Sequence, residues 1–105
     1  MDAKRLMGAR IKSLRRGRGL TQEQIAERTG LSVNYVSRIE RGLENPTLDT
    51  LLGLAKALKV EPLDLFTFEH EDDPRRLRQF LVRLVTEARD DQLSQAVKIL
   101  RGLLR

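Results

Sequence analysis

Residues 20–42 have the sequence LTQEQIAERTGLSVNYVSRIERG, which predicts two short helices joined by a tight turn. Thr21 begins the first helix, because its hydroxyl can accept a backbone N–H while the Gln24 side chain reaches back to the Thr21 amide. Gly30 ends that helix, and we expect a positive φ there, which a residue without a Cβ adopts at little cost. Ser32 is the predicted cap of the second helix.

Small and apolar residues around the turn predict how these two helices pack. Ala26 lies where two helices meet at close range, since only a small side chain lets their backbones approach. Gly30 follows four residues later, where the turn needs an unhindered backbone. Leu31, Val36 and Ile39 then pack the second helix onto its neighbours. A helix-turn-helix unit needs this set of residues to hold its second helix rigidly at the surface.

Helical periodicity extends over the rest of the chain, and no strand pattern is present. Thr47 is predicted to cap the fourth helix, and Asp90 or Asp91 the last one. Gly53 interrupts the fourth helix, where we expect a closely packed neighbour. The further helices are predicted over residues 2–16, 47–58, 62–66, 74–89 and 91–104. We divide the chain into an N-terminal domain that contains the helix-turn-helix unit (1–68), an acidic linker (69–74) and a helical hairpin (75–105).

The composition excludes several classes of function. The 105 residues include no Cys and one His, so the chain has no disulfide framework, no thiolate metal site and no Ser–His–Asp arrangement to argue for. His70, in the acidic linker, is expected to be solvated. No apolar run reaches the length of about eighteen residues that a membrane span needs, and no signal peptide is evident. We therefore expect a cytoplasmic protein that is not an enzyme and holds no metal or cofactor.

The charge distribution favours a polyanionic partner, although weakly. The net charge is +5, and residues 1–20 carry seven Lys and Arg side chains against Asp2 alone. Residues 21–69 are net acidic. On charge alone, a first helix with a basic, solvated face explains this distribution equally well.

Five segments together resemble a known family: RIKSLR (10–15), GLTQEQIA (19–26), GLS (30–32), VSRIERG (36–42) and NPTL (45–48). With the leucine-rich stretch that follows them, they make residues 6–66 similar to the Cro/repressor-type helix-turn-helix domain, also called the xenobiotic-response-element family. The resemblance implies an all-α fold with a five-helix, lambda-repressor-like DNA-binding domain, here followed by a C-terminal two-helix hairpin. It also implies sequence-specific binding to double-stranded DNA, usually as a dimer on a palindromic operator.

The helix over residues 32–41 is the one that would lie in the major groove. Asn can pair with adenine N6 and N7, Arg can pair with guanine O6 and N7, and Val can contact a thymine methyl group. The expected base-reading residues are Ser32, Val33, Asn34, Ser37 and Arg38.

Phosphate contacts are expected around the start of the second helix, where free backbone amides attract anions. The resemblance places a DNA-backbone contact at the same position. The phosphate candidates are Thr21, Gln22, Tyr35, Arg41, Asn45, Lys12 and Arg16, with Arg18 as a further one. The sequence leaves the direction of Arg10 undecided. The resemblance also implies a structural ion pair between Arg15 and Glu40 that joins the first and third helices.

The two C-terminal helices carry more apolar side chains than pairing within a hairpin would cover, which favours self-association. The expected dimerisation residues are Leu77, Phe80, Leu81, Leu84, Val85, Leu93, Val97, Leu100 and Leu104. Binding to a membrane surface is the alternative use of these helices, because arginines flank their apolar faces.

The sequence thus predicts a DNA-binding transcription regulator, a dimeric repressor that places helix 32–41 in the major groove of a palindromic operator. The alternative is an antitoxin or adaptor, whose C-terminal helices bind a partner protein while DNA binding serves autoregulation. These two interpretations differ in whether residues 75–105 bind a second copy of the chain or another protein.

Overall fold

The computed structural model describes residues 3–66 and 74–103, and it contains no strand within those ranges. The elements in chain order are α1 (Ala3–Gly17), α2 (Gln22–Thr29), α3 (Val33–Glu40), α4 (Leu48–Leu58), a 3-10 helix (Pro62–Phe66), α5 (Pro74–Glu87), a second 3-10 helix (Asp90–Gln92) and α6 (Leu93–Leu103). The predicted all-α fold is confirmed. His70 and Leu104 lie outside the described residues, as does the predicted linker up to residue 73, and the side chain of Leu77 is not described.

The core lies where α1–α4 and the first 3-10 helix meet. Its most deeply buried apolar side chains are Met7, Ile11, Ile25, Val36, Ile39, Leu51, Leu54, Leu58 and Leu65. Within α1, α3 and α4 these residues recur every three or four positions, which gives each of these helices one apolar face. Since burial of one large apolar side chain contributes about 1.5–3 kcal/mol, this set is the main force that holds the helices in place.

Helix α1 approaches α3 closely through Gly8. A Cβ added to Gly8 would lie only 2.3 Å from the Ile39 carbonyl oxygen and 2.7 Å from that of Glu40. The backbones of the two helices are therefore in contact, and no larger residue fits at position 8 without movement. The expectation of close packing at Gly53 is wrong: Gly53 is exposed, and an added Cβ would meet nothing within 4 Å.

The predicted last helix differs from the observed one at its start. Asp90 and Asp91 lie inside the second 3-10 helix instead of capping α6. The Gln92 side chain accepts a hydrogen bond at Oε1 from the Arg89 backbone N–H, 3.1 Å away. That bond satisfies the backbone amide of Arg89, which precedes the 3-10 helix, as the third residue of a capping box does.

Helices α5 and α6 pack on the same core. Phe80 and Leu84 of α5 and Ala96 and Ile99 of α6 are buried and belong to the apolar cluster formed by α1–α4. A narrow apolar crevice lies between α5, α6, Leu48 and the first 3-10 helix, and all of them line it.

Two polar contacts reinforce this packing. Gln92 Nε2 donates to Asp49 Oδ1 on α4 at 2.8 Å. Arg83 Nη2 on α5 donates to the Pro46 carbonyl oxygen at 3.1 Å. The C-terminal helices are thus attached to α4 and to the loop that precedes it.

This packing corrects part of the expected dimerisation surface. Phe80 and Leu84 are buried within the chain, because they fill the gap between α5 and the core and are not presented to solvent. Leu81 and Leu100 are half-buried. Val85, Leu93 and Val97 are exposed, and so is Val82, which was not among the expected residues.

Candidate nucleic-acid interface

Helices α2 and α3 each begin at a side-chain cap. The Thr21 hydroxyl accepts from the Gln24 backbone N–H at 3.1 Å, and Gln24 Oε1 accepts from the Thr21 N–H at 2.8 Å. Ser32 Oγ accepts from the Tyr35 N–H at 3.0 Å. Gly30, between the helices, has φ +78°. The predicted capping box, turn and cap are therefore present, and they set the angle at which α3 leaves the turn.

A buried carboxylate joins the three N-terminal helices. Arg15 Nε donates to Glu40 Oε2 at 2.7 Å, and Arg15 Nη2 donates to Glu40 Oε1 at 3.1 Å. Gln22 Nε2 donates to the same Oε1 at 3.1 Å. Arg15 Nη1 also donates to the Leu20 carbonyl oxygen at 2.7 Å. The ion pair implied by the family resemblance is thus part of a larger network, in which the buried charges are hydrogen-bonded as well as paired.

The face of α3 opposite the core carries the expected base-reading residues. Val36 and Ile39 anchor the helix in the core, each 1–2% exposed, whereas Val33 is 40% exposed. Ser32 and Asn34 are also exposed, and Ser37 and Arg38 are half-buried. The structure therefore brings all five candidates to the start and outer side of one short helix.

Arg38 has a partner that the sequence did not reveal. Its Nε donates to Glu44 Oε1 at 2.6 Å, with 41% of the Arg38 side chain and 31% of the Glu44 side chain exposed. Glu44 lies in the loop between α3 and α4, six residues after Arg38. Since a loop has no periodicity, nothing in the sequence indicates that the two side chains meet.

Some of the phosphate candidates are exposed to solvent, and others already contact groups within the protein. Thr21, Arg41, Asn45, Lys12 and Arg16 are exposed, whereas Gln22 and Tyr35 are half-buried. The Gln22 amide nitrogen faces Glu40, and Tyr35 packs against the core. Arg41 Nε donates to the Ser37 carbonyl oxygen at 3.4 Å, which directs the side chain back along α3.

Two other arginines hold the fold together. Arg10 Nε donates to the Asp64 carbonyl oxygen at 2.8 Å, which attaches α1 to the first 3-10 helix and settles the direction that the sequence left undecided. Arg28 Nη1 donates to the Ala57 carbonyl oxygen at 2.9 Å, near the C-terminal end of α4. A cation at that end of a helix is favoured by the unpaired carbonyl groups.

Residues 3–66 and 74–103 contain neither a candidate metal site nor a membrane-spanning helix. No cluster of three or more His, Asp or Glu side chains in these ranges could hold a metal ion. Within the same ranges, every helix is too short or too polar to cross a membrane.

Known proteins similar to this chain are transcription regulators. The helix-turn-helix family profile matches residues 11–65. The uncharacterised regulator y4dJ of Sinorhizobium fredii is 48% identical over 67 residues, which cover 64% of this chain and 87% of that protein. Control protein C.SmaI of Serratia marcescens is 42% identical over 67 residues, 64% of this chain and 80% of that protein.

A solved structure gives the same result at the level of the fold. The restriction-modification controller protein C.AhdI from Aeromonas hydrophila superposes with a TM-score of 0.58 at 44% identity. The superposition covers 59% of this chain and 94% of that one. The shared unit therefore accounts for nearly all of the controller protein and leaves a further part of this chain without a counterpart in it.

Proposed function

The chain belongs to the helix-turn-helix family of DNA-binding transcription regulators, and from this premise we propose that it is a dimeric repressor whose α3 lies in the major groove of a palindromic operator. Repression then needs no chemistry by the protein, because a bound dimer blocks the access of polymerase to the operator. The proposal also places the protein in the cytoplasm, where that DNA is found.

The observation that carries this proposal is the two-sided character of α3. Its inner side is held by Val36, Ile39 and the buried Glu40, while Val33 and Asn34 project into solvent. Ser32, Val33 and Asn34 on that outer side are exposed, so a DNA groove can reach them without rearrangement of the fold. The side chains there are of the types that distinguish bases: an amide, a guanidinium, hydroxyls and an apolar group.

The phosphate contacts follow from the same orientation. Thr21 and Gln22 lie at the N-terminus of α2, where unpaired backbone amides favour an anion. Lys12 and Arg16 are exposed on the outer side of α1. We assign these residues to the DNA backbone, together with Arg41, Asn45 and Tyr35. Such contacts position the protein on the duplex without selecting a sequence.

A second copy is proposed because one eight-residue α3 contacts only a few base pairs. Two copies about one DNA turn apart, roughly 34 Å, contact two half-sites and multiply the specificity. Val82, Val85, Leu93 and Val97 leave apolar surface on α5 and α6 after the chain has folded. We assign the dimer contact to this surface, and a different protein bound there would be the antitoxin or adaptor alternative.

Selection of bound duplexes from a random pool, followed by footprinting of the full chain, tests the proposal. The expected result is an inverted repeat whose half-sites are protected on one face of the DNA, about one helical turn apart. Recovery of a single asymmetric half-site, bound by one copy, would contradict the dimer and the palindrome. Enrichment of no sequence at all would contradict base reading by α3.

A further inference from the structure

Beyond the residues that touch DNA, the Arg38–Glu44 pair suggests how base reading is controlled. We propose that Glu44 is a specificity-determining residue: it positions the Arg38 guanidinium for one base and withholds it from the phosphates. This inference rests on the proposed function, because it takes Arg38 as a base-reading residue.

The geometry of the pair leaves one edge of the guanidinium for DNA. Arg38 carries five N–H donors, of which the Nε–H faces Glu44 at 2.6 Å. The four donors on Nη1 and Nη2 lie at the far end of the side chain. Two parallel donors are what guanine O6 and N7 require. The pair therefore favours an end-on approach to the base through Nη1 and Nη2, and it disfavours approaches that use Nε.

The loop that carries Glu44 is held from both sides. The Leu43 backbone N–H donates to the Arg38 carbonyl oxygen at 2.9 Å. Two residues after Glu44, Pro46 is fully buried, and its carbonyl oxygen accepts from Arg83 on α5. Because the backbone on each side of Glu44 is fixed, the carboxylate can restrain Arg38 instead of following it.

The negative charge of Glu44 also keeps the Arg38 guanidinium from the phosphates. An Arg side chain that is free of partners is attracted to any phosphate, which adds affinity for every sequence. A carboxylate at 2.6 Å offsets that attraction, whereas hydrogen bonds from Nη1 and Nη2 to a base remain available. Glu44 is therefore expected to weaken binding to unrelated DNA more than binding to the operator.

The test compares full-length variants on three duplexes: the selected operator, the operator with the base pair assigned to Arg38 replaced, and an unrelated sequence. Glu44→Ala removes the pair, and Glu44→Gln keeps an acceptor without the charge. Glu23→Gln is the matched control, since it removes one exposed negative charge from the first turn of α2. Circular dichroism melting verifies that each variant is folded.

We expect Glu44→Ala to reduce discrimination at the base pair of Arg38 by about threefold or more, a coupling typical of residues in contact. Binding to unrelated DNA should tighten, and its dependence on salt should become steeper by about one counterion. Glu44→Gln should retain part of the discrimination. Arg38→Ala and the double variant Arg38→Ala/Glu44→Ala should discriminate equally poorly, because Glu44 acts through Arg38.

The inference is overturned if Glu44→Ala tightens binding to all three duplexes by the same factor, as expected of Glu23→Gln. It is also overturned if discrimination changes at another base pair, since Glu44 would then contact a base itself. If Arg38→Ala relaxes no base pair, the base-reading role of Arg38 fails as well. If Arg38→Ala does relax one and Glu44→Ala does not, only the role of Glu44 fails.

Discussion

Gln22 Nε2 donates a hydrogen bond to Glu40 Oε1 at 3.1 Å, and that oxygen also accepts from Arg15. Gln22 is the first residue of α2 and Glu40 is the last residue of α3. One buried carboxylate therefore connects the end of α2 assigned to phosphate with the helix assigned to the bases. The buried network thus joins the start of α2 and the end of α3 to α1.

Gln22→Ala should weaken binding to operator and unrelated duplexes by the same factor. The side chain is assigned to the DNA backbone, which is the same in every sequence. Folding should change little, because Glu40 keeps both hydrogen bonds from Arg15. Fluorescence anisotropy on both duplexes measures the two affinities. A loss confined to the operator would show that Gln22 takes part in base recognition.

Arg38→Ala should behave differently from Gln22→Ala. Removal of a side chain that pairs with a guanine costs about 1–3 kcal/mol on the operator and relaxes the preference at one base pair. Competition between the operator and its single-base variants measures that preference. If Arg38→Ala and Gln22→Ala reduced affinity equally on every duplex, the division between base and phosphate contacts would be wrong.

Glu40→Ala should destabilise the fold by about 3–5 kcal/mol, because it leaves the buried Arg15 guanidinium without its counter-charge. The Glu40 side chain is 1% exposed and that of Arg15 is 10% exposed, so water does not replace the lost partner. The control is the double variant Arg15→Met/Glu40→Met. It removes both charges, so its folding stability should fall less than that of Glu40→Ala. Urea unfolding followed by circular dichroism compares them. A loss below about 1 kcal/mol for Glu40→Ala, as at a surface pair, would contradict burial.

Gly8→Ala and Gly53→Ala form a matched pair with opposite expected effects. At position 8 the new methyl group meets two backbone oxygens of α3, and we expect a loss of about 1–3 kcal/mol. At position 53 it meets nothing, so the better helix propensity of alanine should stabilise α4 by roughly 1 kcal/mol. Thermal unfolding of both variants checks the signs. If both variants changed the unfolding temperature equally, α1 and α3 would not be in backbone contact.

Val97→Glu should dissociate the proposed dimer without unfolding the chain. Val97 is 44% exposed on α6, so the fold tolerates a charge there, whereas an apolar dimer contact does not. Lys98→Gln, at the neighbouring exposed position of the same helix, changes the net charge by the same one unit and is the control. Sedimentation equilibrium gives the dissociation constant of each. If Val97→Glu assembles as the original chain does, the dimer contact lies elsewhere.

Local signals in the sequence were enough to predict the helix-turn-helix unit. The Thr21–Gln24 capping box, the positive φ of Gly30 and the caps at Ser32 and Thr47 each depend on atoms within four residues of one another. Such features form in any context that permits the helix. For the same reason, the apolar faces of α1–α4 followed directly from residue spacing.

Contacts between distant elements were beyond the reach of those signals. The partners of Arg38 and Gln22, and the empty space beside Gly53, depend on how helices and loops cross. So does the burial of Phe80 and Leu84, since an amphipathic stripe has the same appearance whether it packs on its own core or on a second copy. Residue spacing therefore established which faces are apolar and which are polar, and three-dimensional packing established what each face meets.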